Sequence, residues 1–158
     1  MIGPILDSQH AKILRMNQEF VHWLSLLDEN GLTELLNLAH YKKQIHDATG
    51  VLIGYVHDVD YDHKNLKWLR AKFNSFYYID RILLDSAAQG KGDGKQLYAD
   101  FEAEARQKNL PRLVCEVNTK PNNPGSHKFH ERLGFRVIGD VDYPAYDASL
   151  RYYEKPLI

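Results

Sequence analysis

The sequence predicts an α/β (α+β) domain, and three observations carry that prediction. Apolar residues at helical spacing alternate along the chain with short runs rich in β-branched and aromatic residues. One such run, Phe76 to Leu84, passes through a glycine-rich loop into the helical stripe Leu97, Tyr98, Phe101 and Ala105. The length of 158 residues, with 44% hydrophobic and 26% charged content, is that of one globular domain over 1–158 with a substantial core.

The elements follow in order. Ala11 to Met16 reads as a strand, and Asn17 as the cap of a short helix from Gln18 that turns Phe20, Val21 and Leu24 inward. A helix follows Asp28, with Leu32, Leu35, Leu36 and Ala39 on one face. Tyr41 to His46 and Val51 to Val56 read as strands joined by a hairpin at Asp47 to Gly50. Asp58 to Asn74 is polar and aromatic without a period, so it predicts either a loop or a stretch with one helical turn around Leu66 to Ala71. The helix after the glycine loop stops at Asn109 and Pro111. Arg112 to Asn118 is a strand that puts Val114, Glu116 and Asn118 on one face and Leu113, Cys115 and Val117 on the other. Asn123 caps a helix with Pro124 at its first position and Gly134 at its end. Phe135 to Gly139 and Leu150 to Lys155 complete the strands, with Tyr143 to Tyr146 in the loop between them. The predicted order is β-α-α-β-β-β-α-β-α-β-β.

Charge and cysteine content exclude several classes. The formal net charge of −1 offers no bulk attraction for nucleic acid or a membrane surface. Cys115 is the single cysteine, so no intrachain disulfide forms, in keeping with a cytoplasmic protein. Met1 to His10 has no basic segment followed by an apolar run, so no signal peptide is expected, and no stretch is apolar for long enough to span a bilayer. Asp58, Asp60 and Asp62 have the spacing that opens a calcium loop, but His63 stands at the glycine position and Leu69 at that of the closing glutamate. A metal site from His57, Asp60 and His63, or from His127 and His130, is the alternative use of these side chains. No metal is assigned.

The chemistry concentrates in Tyr77 to Lys95. Gln89, Gly90, Lys91, Gly92, Asp93, Gly94 and Lys95 place three glycines and two lysines at a helix N-terminus. Free backbone N–H groups and the positive end of the helix dipole suit a phosphate there, and glycine admits the close approach. The loop is neither of two familiar types. A P-loop requires Ser or Thr after Gly94-Lys95, where Gln96 stands; a dinucleotide fingerprint requires a third glycine where Lys95 stands. Gln89, Gly92 and Gly94 instead fill the fixed positions of Q/R-x-x-G-x-G/A, the acyl-CoA loop of the GNAT acetyltransferase superfamily. A later segment, Asn123 to Phe135, resembles that superfamily's N-x-x-A-x-x-L-Y-E-K-L-G-F, with Ser126 for Ala and His130 for Tyr. The patterns YIDRI, CEVN, NPGS and FH resemble small bacterial members.

The resemblance implies the rest. The fold would be a mixed, mostly antiparallel sheet of roughly six to seven strands flanked by about four helices, with two central strands splayed to admit the pantetheine arm of acetyl-CoA. The activity would be direct transfer of acetyl from acetyl-CoA to a primary amine of a small molecule, an amino acid or a protein N-terminus, by a monomer or homodimer. Gly90 to Lys95 would hold the pyrophosphate with Gln89, Ile82, Leu83 and Leu84 would meet pantetheine through their backbone, and Asn123, Ser126, Phe129 and His130 would line the CoA arm. Asn123 is equally a helix cap. Glu116 aligns with the proton acceptor of ribosomal-protein N-terminal acetyltransferases. A carboxylate in a partly buried cleft has the raised pKa such a role needs; the alternative is a structural salt bridge to Arg81 or Arg112. Asp80 is the second candidate base, read as facing the same side as Ile82 and Leu84. His130 takes the slot of a tyrosine that donates a proton to the thiolate, as acid, hydrogen-bond donor or packing residue. Asp93, where relatives are apolar, either points outward between Lys91 and Lys95 or repels the pyrophosphate. Asp93 and His130 together favour the alternative of a non-catalytic acyl-CoA-binding regulatory module.

Overall fold

The computed structural model describes residues 1–88 and 90–157; Gln89 lies outside the described residues. The strands are β1 (Ile2–Pro4), β2 (Tyr41–Ile45), β3 (Gly50–Val56), β4 (Tyr77–Leu84), β5 (Arg112–Lys120), β6 (Arg136–Tyr143) and β7 (Ala148–Pro156). The helices are α1 (His10–Glu19), α2 (Glu29–Leu38), α3 (Lys64–Lys72), α4 (Asp93–Gln107) and α5 (Pro124–Arg132). The strands form one sheet in the order β1-β2-β3-β4-β5-β7-β6, with β4 and β5 its parallel neighbours. This is the mixed, mostly antiparallel sheet that the resemblance implies.

The sheet has an apolar layer on each face. Ile13 and Met16 of α1, Leu32 and Leu35 of α2, and Leu66 and Leu69 of α3 pack with Val51, Ile53, Tyr55, Tyr78 and Val114. On the other face Leu97, Tyr98 and Phe101 of α4 and Phe129 of α5 pack with Leu52, Tyr77, Ile79, Cys115 and Tyr153. The alternation along β5 matches the predicted assignment of its two faces. Helix α5 starts as read, with Asn123 Oδ1 accepting from Ser126 N at 3.4 Å and Pro124 at the first position.

Three expectations are corrected. Ala11 to Met16 is helical, within α1. Ile13, Met16 and Asn17 recur at helical spacing on a buried face, and that burial outweighs the β-like Ile13-Leu14 pair. Asn17 is therefore not a cap; it is buried in α1 and donates to Ser25 O at 3.0 Å. Beyond Glu19 the chain turns, leaving Val21 exposed. The first strand is instead β1, an edge strand paired antiparallel with β2, where Pro4 is tolerated. The single helical turn expected in 58–74 is the nine-residue α3. His63 Nδ1 caps it by accepting from Asn65 N, and Arg70 at its end donates to the carbonyls of His57, Val59 and Tyr61 at 2.8, 2.7 and 3.1 Å. The observed order is thus β-α-α-β-β-α-β-α-β-α-β-β.

Two local features position the site. Between β3 and β4 the register passes from Ile53↔Arg81 to Gly54↔Ile79, so Asp80 is the extra residue of a β-bulge. The bulge changes the face that follows. Ile82 packs with α4 and α5, whereas Asp80 pairs with Arg81, which reaches Asn17 of α1. Asp80 therefore does not share a face with Ile82 and Leu84; it lies on the side of Tyr78 and Glu116. The second feature is the β4–β5 pairing, which holds at Tyr77↔Leu113 and Tyr78↔Val114 only. From Ile79 onward the strands diverge.

Gly54 sits opposite the bulge, where a Cβ would lie 2.6 Å from Tyr78 O and 2.7 Å from the Phe101 ring. Backbone cannot yield as a side chain can, so Gly54→Ala should lower unfolding free energy by about 2–3 kcal/mol in urea denaturation.

Candidate active site

The divergence of β4 and β5 opens a cavity of about 670 Å³. Its walls include Asp80 and Ile82 of β4, Glu116 of β5, and Asn123, Ser126 and His130 of α5 and its cap. Six of the residues singled out in the sequence are thus brought to one place from three segments. The 20–25 segment between α1 and α2 and the Tyr146–Ala148 segment before β7 form the rest of the rim. Trp23 Nε1 donates to Asn122 O at 3.1 Å, tying the first of these to the β5–α5 connection.

Glu116 lies just past the last β4–β5 pair. Among the described residues it makes no salt bridge: Arg81 pairs with Asp80 at 2.7 Å and Arg112 with Glu154 at 3.0 Å. Its Oε1 accepts from Tyr78 Oη at 2.7 Å and from Asn65 Nδ2 at 2.6 Å. Its Oε2 is sealed from solvent and has no hydrogen-bond partner among the described residues. Burial, aided by the charge of Asp80, pushes the carboxyl up from 4.5 to about 7 against the opposing pull of Tyr78 and Lys64. A carboxyl group that titrates near neutrality inside a cavity has the properties of a general base.

His130 is held differently from what its sequence position implies. Its Nδ1 lies 2.8 Å from Ser126 O, which only accepts, so Nδ1 carries the proton. Its Nε2 therefore accepts from the hydroxyl of Tyr98, 2.7 Å away. Burial pushes the imidazole down from 6.5 to about 4, so near neutral pH it is uncharged and its single N–H is engaged. His127 is also held at both nitrogens, by Tyr153 Oη at 2.7 Å and Asn118 O at 3.0 Å. His57 and His63 each accept a backbone N–H at Nδ1, and no group of three or more metal-binding side chains converges among the described residues.

The glycine loop has the predicted backbone. Gly90 and Gly92 have φ of 83° and 86°, and Gly92 is the N-cap of α4. Gly94 is enclosed by Leu84 and the Phe129 ring, each within 3.2 Å of where a Cβ would stand. Phe129 thus packs beneath the loop and against Tyr98. Lys91 and Lys95 are exposed. Asp93 neither points outward nor faces the loop's ligand side. It is buried, accepting from Thr49 Oγ1 at 2.8 Å and sitting 3.0 Å from His46 Nδ1, both in the β2–β3 hairpin. That hairpin turns through His46, Asp47 and Ala48, all left-handed with φ of 52°, 54° and 59°, and Thr49 N bonds back to Ile45 O.

Sequence reasoning missed Asn65, Tyr78, Tyr98 and Tyr152 as parts of the site. Only Asn65 left a signal, by falling in an aperiodic 17-residue stretch of the chain; the tyrosines look like ordinary strand and helix residues.

Comparison with known proteins agrees with this geometry. The profile of the acetyltransferase (GNAT) family matches residues 14–135. Among solved structures the chain is similar to Ard1 from Thermoplasma volcanium, with a TM-score of 0.78 and 15% identity, covering 100% of this chain and 97% of that one. It is also similar to the ribosomal-protein-alanine N-acetyltransferase from Brucella melitensis, with a TM-score of 0.73 and 18% identity over 99% of each chain. A third similar structure is NAA60 from Arabidopsis thaliana in complex with acetyl-CoA, with a TM-score of 0.74 and 10% identity over 99% of each chain. At these identities the likeness shows the fold. No curated protein matches the sequence.

Two outcomes follow from these contacts. Asp93→Ala should lower stability by about 1–2 kcal/mol by leaving Thr49 and His46 without their acceptor. It should not tighten acetyl-CoA in calorimetry, as relief of a repelled pyrophosphate would. In a histidine NMR titration the His130 ring signals should stay unmoved until pH falls toward about 4. Because the folded pKa lies below 6.5, this group weakens stability as pH falls through that interval.

Proposed function

The chain belongs to the acetyltransferase (GNAT) family, and from that premise we propose that Glu116 is the general base of an acetyl-CoA-dependent N-acetyltransferase acting on a primary amine. The observation that carries the assignment is the Glu116 carboxyl itself: at the wall of the cavity between the parted strands, pushed up to about 7, with one oxygen held twice and the other unclaimed.

The amine nitrogen attacks the thioester carbonyl, forming the C–N bond. Glu116 takes the proton that the nitrogen must lose. The C–S bond then breaks and its electron pair leaves with the CoA sulfur. Asp80 lies on the same wall, paired with Arg81, and its carboxylate helps keep the proton affinity of Glu116 high. The acetyl-CoA arm lies along the unpaired edge of β4 at Ile82 to Leu84. There a ligand with amide groups can take the place of a neighbouring strand. Its pyrophosphate meets the N–H groups of Gly90 to Lys95, and Asn123 and Ser126 flank the arm from α5. His130 serves as a fixed acceptor for Tyr98 rather than as the acid. With Asp93 turned into the hairpin, the loop keeps no anion on its phosphate side from that residue.

Glu116→Gln should lower kcat by at least about 100-fold with short peptides bearing a free α-amino group, followed by thiol release. Calorimetric affinity for acetyl-CoA should be retained. The wild-type rate should rise with pH through about 7, since the carboxylate is the active form. The same variant should be more stable than the wild type above pH 7 by about 3 kcal/mol. Stability that the raised carboxyl supplies at low pH is lost as pH climbs from 4.5 to about 7. Full activity in Glu116→Gln would remove it as the base.

A further inference from the structure

We infer that Asn65 is a positioning residue for Glu116, fixing one carboxylate oxygen at the end of a hydrogen-bond chain from Tyr143 and so holding the carboxyl in one pose at the cavity wall. The inference rests on the assignment of Glu116 as base.

The chain has one direction. Tyr152 Oη donates to Asn65 Oδ1 at 3.0 Å, so its only proton is committed there. The 2.7 Å contact between Tyr143 and Tyr152 is then a donation from Tyr143. Asn65 Nδ2 donates to Glu116 Oε1 at 2.6 Å. Turning the amide over would set its oxygen against the Glu116 carboxylate, which has no proton to give it, so the orientation is fixed at that end and the Tyr152 donation follows from it. Every link points toward the carboxylate.

Helix α3 holds both middle members. Asn65 lies in its first turn, beneath the His63 cap. Trp68, one turn on, stacks on Tyr152 with ring centroids 4.1 Å apart and planes within 11°. Gly139 makes room for that indole: a Cβ there would stand 2.8 Å from it. Lys64 lies over the rings of Tyr143 and Tyr146, at 5.5 and 4.8 Å from their centroids, and pins the far end.

The choice of donor has a chemical reason. A lysine or arginine at this place would hold the carboxylate as well but drag its pKa far down and spoil it as a base near neutrality. An amide fixes the oxygen without a full charge. The titratable groups around Glu116 are Tyr78 and Asp80 from β4, Lys64 from α3, Tyr98 from α4, Tyr152 from β7 and Cys115 beside it on β5. Substituting Asn65 leaves all of them in place.

The test reads the carboxyl directly. Protein labelled with ¹³C at the glutamate side-chain carboxyl is titrated by NMR, and Glu116→Gln identifies the signal. In Asn65→Leu, which keeps the branched shape and excludes water, the Glu116 midpoint should move up by about one pH unit. The acid limb of kcat/KM, followed by thiol release with the peptide probes, should move with it, while KM for acetyl-CoA is unchanged. Tyr152→Phe keeps the ring on Trp68 and removes only the hydroxyl; it should shift the midpoint in the same direction by less. An unmoved midpoint in folded Asn65→Leu, or in Tyr152→Phe if the first variant does not fold, overturns the role of Asn65 and leaves Glu116 untouched. A midpoint that moves while the rate profile stays overturns Glu116 as the base, and the role of Asn65 in catalysis with it.

Discussion

Everything that matters in this molecule hangs on two strands that stop pairing. β4 and β5 share two residue pairs and then part. Backbone N–H and C=O groups at such an edge need partners, and inside a protein they are costly to leave without them. The structure tolerates the parting because the two halves of the sheet are held elsewhere: β4 is paired along its whole length with β3, and β5 with β7. The opening is therefore a property of the sheet rather than of a mobile loop. The bulge at Asp80 sits where the strands separate, and it sends a carboxylate to the same side as Glu116.

The carboxylate across the opening is balanced between two failures. With both oxygens satisfied by cations it would be a structural ion pair with a low pKa. With neither satisfied, its burial would be hard to sustain. One oxygen receives two neutral donors and the other none among the described residues, which leaves the group partly stabilised and titrating near neutrality. The same logic at His130 runs the opposite way. A backbone carbonyl and a tyrosine hydroxyl satisfy both nitrogens, and burial keeps the ring neutral.

The two halves of the chain differed in how much they disclosed to sequence reading. From Tyr77 onward, strand, glycine loop, helix, strand and capped helix follow local rules, because period, caps and turn residues all agree there. The N-terminal part was harder. Ile13-Leu14 looks like strand, and only the tertiary burial of Ile13 and Met16 makes it helix. Counting alternate residues puts Asp80 on the face of Ile82 and Leu84, and a bulge invisible in the sequence moves it. Asp93 looked like an intruder in a phosphate loop because its partners, His46 and Thr49, are distant in the chain. Glu116 stood out as a charged residue on a buried face. The residues that tune it did not, since a buried tyrosine in a strand is indistinguishable from core until its hydroxyl finds a partner.

The left-handed turn at His46 to Ala48 has a consequence for how the chain folds. Each of its three residues is disfavoured in that conformation by about 1 kcal/mol, with no glycine among them. Local bonds hold part of the turn, from Ala48 N to Gln44 Oε1 and from Thr49 N to Ile45 O. The rest is remote: Gln9 just before α1 and Lys12 within it reach Asp47, and Asp93 reaches His46 and Thr49 from α4. A hairpin with a favourable local turn can nucleate a sheet on its own. This one draws part of its support from a distance, so its full stability depends on helices from both faces of the sheet docking on the shared turn.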